Sequence, residues 1–253
     1  MALISTTLPA VRRLTLPAVL STLAALAGVS ACSSSAPPSA LQGKSASQVM
    51  TAALAAAKQA GSMHLTVALS GPNGTQALSG DLSGTDGQLD FAGPAQFLHL
   101  KIVGGTGYLN ADAGTLQKDL GIKSATTAAA DAGKWVSLKA TDGPYAQLAQ
   151  TLSFTAAVAQ FLPNPSGMTI LGTKTVGGKS VLQLKGPLNQ TGYTGSTIFT
   201  VSATSPTTPV SNNATAAKSG KTSTQTTTFS AWGVPVKLTA PTGAIAFSTI
   251  PLT

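Results

Sequence analysis

Residues able to do covalent or acid–base chemistry are few in this 253-residue chain, which holds one cysteine, two histidines and no glutamate. The lone Cys32 excludes an internal disulfide, and one cysteine with two histidines does not complete a structural zinc site. His64 and His99 fall opposite the apolar residues of alternating segments, which places them on a surface rather than in a catalytic pair. Asp86 and Asp90 flank Gly87 and read as hairpin residues rather than an acid–base couple. No Gly-x-Ser-x-Gly elbow is present. The run Gly172 to Ser180 imitates a phosphate loop, but Thr173 stands where its first glycine belongs and a strand follows instead of a helix, so Gly177 and Gly178 read as a hairpin tip. Three Asn-x-Thr triplets, at Asn73, Asn189 and Asn213, fit the acceptor pattern for N-glycans, which by itself carries little weight.

Cys32 gains its meaning from what precedes it. Arg12 and Arg13 open an apolar run from Leu14 to Ala31, interrupted by Pro17, which has the parts of a secretory signal. The run ends in Val29, Ser30, Ala31 and Cys32, which resembles the bacterial lipobox: an aliphatic residue, two small residues for the narrow peptidase slot, and a thiol for thioether formation. Pro17, Gly28 and the absence of basic residues directly after the run argue against a membrane-spanning helix. The residues following the arginine pair fit twin-arginine export poorly, so the Sec route is expected. The sequence therefore predicts a signal peptide over 1–31, and a diacylglyceryl cysteine at Cys32 with a Ser/Ala/Pro-rich flexible tether over 32–46. A folded domain is expected over 47–253, held on the extracytoplasmic face of the cell membrane. Two acyl chains anchor far more durably than one.

Composition narrows the rest. With 43% hydrophobic and 9% charged residues, the chain is too apolar to stay unfolded and far less charged than an average soluble domain. After Ala31 it carries 13 lysines against 7 aspartates. The basic residues are scattered, with no arginine and aromatic cluster to follow a phosphate backbone, so no nucleic-acid partner is expected. No cofactor or metal site is expected either.

Periodicity supplies the elements. A helix is expected from Ser47, as its cap, to about Ala60, ended by Gly61. Period-two alternation then begins at Met63, Leu65, Val67 and Leu69, turns at Pro72 to Gly74, and returns through Leu78 to Leu82. Leu89 with Phe91, Leu98 with Leu100 and Ile102, and Tyr108 with Leu109 continue an antiparallel meander. A short helix over Thr115 to Leu120, a strand over Trp135 to Leu138 and one longer helix from Pro144 to the prolines at 163 and 165 follow. Further strands are expected over Met168 to Thr175, Ser180 to Lys185, Ser196 to Thr204, Thr222 to Ser230 and Val234 to Thr239. Ser205 to Lys221, rich in Thr, Ser, Pro and Asn, reads as a long mobile hairpin loop.

In order and spacing these parts resemble the actinobacterial LppX, LprA, LprF and LprG lipoprotein family. The likeness runs from the lipobox and tether through Ser62 to Val67, Leu78 to Leu82, the Gly133-Lys134-Trp135 segment with Leu138, and the closing Trp232-Gly233 segment with Val236, Leu238 and Pro241. It implies an α+β fold: a half-open antiparallel β-barrel with helices packed over its concave face, enclosing a hydrophobic cavity. It further implies a carrier that binds acyl chains of a cell-envelope lipid or glycolipid without covalent chemistry, and that meets a lipid-exporting membrane protein as a possible partner. The residues expected to line the cavity are Met63, Leu65, Val67, Leu69, Leu98, Leu100, Ile102, Val136, Leu138, Leu148 and Leu152. A chain of about 16 carbons gains on the order of 10 kcal/mol on leaving water, at about 0.8 kcal/mol per CH₂. The alternative is a non-catalytic surface interaction protein with a filled core that works through the Ser205 to Lys221 loop.

Overall fold

The computed structural model describes residues 41–72, 74–188 and 192–252. Cys32, the signal segment and most of the tether lie outside the described residues. The first helix, α1 (Ala46–Ala60), starts earlier than expected because Ser45, not Ser47, is its cap: Ser45 Oγ accepts from the Gln48 amide while the Gln48 side chain accepts from the Ser45 amide. Gly61 ends it in the left-handed conformation, φ 70°. Upstream of that cap, Leu41 is buried in the core, so ordered packing begins inside the segment expected to be tether.

Five antiparallel strands follow as a meander: β1 (Met63–Gly71), β2 (Gly74–Leu82), β3 (Gly87–Gly93), β4 (Gln96–Val103) and β5 (Thr106–Ala111). Then come α2 (Ala113–Leu120), α3 (Ala125–Asp131), the short β6 (Val136–Leu138), α4 (Tyr145–Thr151) and α5 (Phe154–Phe161). The second half is β7 (Thr169–Val176), β8 (Lys179–Pro187), β9 (Thr194–Ser202), β10 (Pro209–Lys218) and β11 (Lys221–Ser230), with β12 (Ile245–Ala246) and a 3₁₀ turn at Phe247–Thr249 closing the described chain. All twelve strands form one open sheet in the order β12-β6-β5-β4-β3-β2-β1-β11-β10-β9-β8-β7, antiparallel throughout except for the β12–β6 pair. The molecule is an α+β protein in which this open sheet curves around five helices.

Register follows from the alternation. On the concave face Leu65 lies beside Gly80, Leu89, Leu100, Leu109 and Val136 in successive strands. Glycines mark where layers approach. A side chain on Gly80 would collide with the Gln88 carbonyl of the neighbouring strand, and a Cβ on Gly107 would sit 3.2 Å from Tyr145 and 3.3 Å from Leu148. The bare backbone of Gly107 thus lets α4 dock directly on β5.

Four expectations are corrected. The helix expected as one piece from Pro144 is two, because Ser153 caps a new start at Phe154 by accepting from the Ala156 amide. The short helix α3 was not foreseen; Ser124 caps it in the same way. Ser205 to Lys221 is not a loop: it contains β10, paired along its length with both β9 and β11. Val234 to Thr239 is not a strand, because Ala231 (φ 50°) and Gly233 (φ 73°) turn the chain off the sheet and Pro235 has no amide to donate to a ladder.

Candidate functional site

Nine of the eleven residues expected to line a cavity are brought together, and they pack into a closed core. Met63, Leu65, Leu98, Leu100, Ile102, Val136, Leu138, Leu148 and Leu152 are buried in one cluster with Leu82, Leu89 and Leu109. Val67 and Leu69, one and two rows further along β1, are only half-buried. The concave face is therefore closed over its first rows, and its cover thins locally further along β1 to β3, while Leu98 and Ala111 in the Val67 row stay buried. Val67 shares its row with Leu78 and Phe91, all three half-buried against the core, as are Phe161 and Leu162 at the end of α5. Leu78 and Phe91 were not named as lining residues, although their alternation with Leu82 and Leu89 carried the signal.

Between α1 and the chain after α5, a cleft of about 70 Å³ opens over Phe199, bordered by Met50, Leu54, Leu162 and Pro163. Leu54 is 38% exposed at this lip. Small-molecule sites hold roughly 300–1,000 Å³, so an acyl chain enters this face only if α1 and the Leu162 to Pro165 segment move apart.

The same row changes character across β1. From Val67 it continues through Thr227, Asn212 and Phe199 to Leu184. Thr227, Asn212 and Thr197 are buried. The Thr197 hydroxyl donates to Asn212 Oδ1, Asn212 Nδ2 donates to the Phe161 carbonyl at 3.3 Å, and Gln225 Nε2 donates to Thr227 Oγ1 at 3.1 Å. These bonds tie the end of α5 to the floor of the sheet and satisfy polar groups that would otherwise be costly to bury.

Two carboxyl groups beside the core are shifted in opposite senses. Burial pushes Asp112 up, but bonds from the Thr115 hydroxyl and amide and from the Phe97 amide outweigh it and hold the group below its ordinary value. Asp119, near the C-terminal end of α2, is pushed up to about 6, chiefly by burial and only partly countered by Lys118. Its Oδ1 is buried without a hydrogen-bond donor.

On the convex face the histidines sit as expected, at the surface, each with a carboxylate across the strand pair. His64 Nδ1 lies 2.8 Å from Asp81 and His99 Nδ1 lies 2.6 Å from Asp90. Asp86 accepts from the Gly104 amide instead of approaching Asp90. Among the described residues no group of three His, Cys, Asp or Glu side chains could hold a metal ion, and no helix is long and apolar enough to cross a membrane.

No protein-family model matches the chain, and none of the curated proteins does. Among solved structures it is similar to LprF from Mycobacterium bovis, at 17% identity over 78% of this chain and 97% of that one, with a TM-score of 0.47. It is similar also to the Mycobacterium tuberculosis lipoprotein LppX, at 13% identity over 77% and 98%, TM-score 0.46. A third is an uncharacterized conserved protein from Thermus thermophilus, at 10% identity over 79% and 97%, TM-score 0.36. The first two carry names of the family that the sequence motifs resemble.

Proposed function

We propose that this is a lipoprotein, anchored through an acylated Cys32 to the outer face of the cell membrane, that receives the acyl chains of an envelope lipid or glycolipid on its concave face and carries or presents it without covalent chemistry. The observation that carries the reading is the apolar strip of Val67, Leu69, Leu78 and Phe91, only partly covered beside a closed aliphatic core. The part of these side chains still in water gains from any hydrocarbon laid over it, at about 25 cal/mol per Å² covered. Elsewhere on this face, over Phe199, the cleft at Leu54 and Leu162 is a second place where the cover is thin. The lipobox and the order of family-like motifs support the same reading.

Uptake of a fluorescent fatty-acyl probe by the full chain tests the proposal. Leu69→Asp places a charge on the open strip outside the closed core, so the variant keeps its fold and loses most of the uptake. Unchanged uptake by a folded Leu69→Asp protein would remove the strip from the site.

The alternative of a surface interaction protein working through a mobile Ser205 to Lys221 loop loses its loop, since β10 occupies that segment.

A further inference from the structure

On the convex face, opposite the side proposed to take lipid, the chain after β11 covers a separate space. After β11 the chain must travel from beside β1 to β12, which pairs with β6. It is fastened at the start, where the Gly233 amide donates to the Ser62 carbonyl at 3.1 Å and Ser62 Oγ donates to the Val234 carbonyl at 2.8 Å, and at the end, where the Ile245 amide donates to the Trp135 carbonyl at 2.8 Å. Five strand spacings of about 4.8 Å separate these ends, about 24 Å. The intervening residues could reach roughly 40 Å when extended. The strap therefore has slack and bows away from the sheet, leaving a space of about 410 Å³ beneath it, within the range of small-molecule sites.

The floor of that space is one row of the sheet: His64, Asp81, Gln88 and Lys101, side by side on β1 to β4. Both oxygens of Asp81 are engaged, one by His64 Nδ1 at 2.8 Å and the other by Gln88 Nε2 at 3.0 Å. A carboxylate accepts only, so His64 carries its proton on Nδ1 there. With Asp81 occupied, the groups left facing the space are donors and cations: the Lys101 ammonium, held 5.5 Å from the centre of the Trp135 ring, the second amide hydrogen of Gln88, and Lys237 from the strap. Two lysines against one already paired carboxylate make the site positive, while Val234, Pro235 and Leu238 supply an apolar roof.

We propose that this space binds a small phosphate monoester, its dianion bridging Lys101 and Lys237 with the free amide hydrogen of Gln88 as the third contact and its organic part against Val234, Pro235 and Leu238. Charge-assisted contacts of this kind are the strong ones, and the roof gives a reason for an organic ester rather than a bare ion. The ester has two sources of the same chemistry, a soluble metabolite or a lipid head group.

Calorimetric titration of the full chain in non-ionic detergent tests it, with glycerol 3-phosphate as the soluble probe and micelles doped with phosphatidic acid as the lipid probe. The expected result is saturable one-to-one binding of at least one probe, weakened by about tenfold or more in the Lys101→Met/Lys237→Met variant. Both positions are on the surface of the convex face, and an unchanged melting temperature verifies that the variant is folded. Binding of glycerol 3-phosphate alone assigns a soluble ligand, and binding of doped micelles alone assigns a head group. No saturable binding of either probe, or binding that the double substitution leaves unaltered, overturns the proposal.

Discussion

The concave face of the sheet is two surfaces built on one ladder. On β1 to β6 its residues are aliphatic and close under the helices, with Leu65, Leu89, Leu100, Leu109 and Val136 all buried. On β9 to β11 the neighbouring rows, those of Val67 and Leu69, contain Thr197, Asn212, Thr227 and Gln225 among the apolar side chains, joined by hydrogen bonds. The first surface is held by area removed from water, which is insensitive to direction. The second is held by bonds that require particular partners, and it fixes the end of α5 through the Phe161 carbonyl. The covering helices thus rest on an apolar bed on one side and are pinned by a polar contact on the other.

Substitutions can break this contrast. Leu100→Ala empties a site 2% exposed and should cost about 2–5 kcal/mol, seen as a large drop in melting temperature. Phe91→Ala removes more atoms but from the open strip, and should cost less than Leu100→Ala; the reverse order would mean that the strip belongs to the core. On the polar side, Asn212→Ala strips the Phe161 carbonyl of its donor, leaves the Thr197 hydroxyl only a longer bond to the Asn213 carbonyl at 3.4 Å, and should cost about 1–3 kcal/mol. It should also raise amide exchange selectively in α5.

The smallest effect is a gain. Asp119 holds its proton in the folded state up to about pH 6, whereas the unfolded chain releases it near 3.8. The folded state binds the extra proton between those values, so stability falls as pH rises across that window and the penalty is complete above it. Asp119→Asn should therefore stabilise the protein by about 1 kcal/mol at pH 7, solvent around a half-exposed carboxyl screening the rest, and by nothing below about pH 4. Thermal melts at pH 3.5, 5 and 7 check the trend; a gain that does not change with pH would contradict it.

How much of this was legible in the residues differs between the two surfaces for the same physical reason. The meander could be read because large apolar side chains alternate along β1 to β5, and a one-residue slip would have exposed all of them. β10 was hidden because its inward positions are Asn212 and Ala214, which give no hydrophobic period; its two ladders hold it in place, and ladders leave no mark on composition. The strap deceived in the other direction. Val234, Val236 and Leu238 alternate as a strand would, yet the left-handed Ala231 and Gly233 aim the chain away from the sheet. Alternation put these residues on one face of the sheet but did not show where its cover stops, since that depends on how far α1 and α5 reach across it. The His64–Asp81 and His99–Asp90 pairs needed the hairpin register, which the turns between Gly71 and Gly74 and between Gly93 and Gln96 fix.

The central claim is that the partly covered strip holds hydrocarbon, and native mass spectrometry of the full chain released gently from membranes, followed by organic extraction of what it carries, tests it most directly. The account predicts a stoichiometric lipid adduct that Leu69→Asp abolishes and Lys101→Met/Lys237→Met leaves in place. A folded protein that carries no adduct and takes up no acyl probe would contradict it.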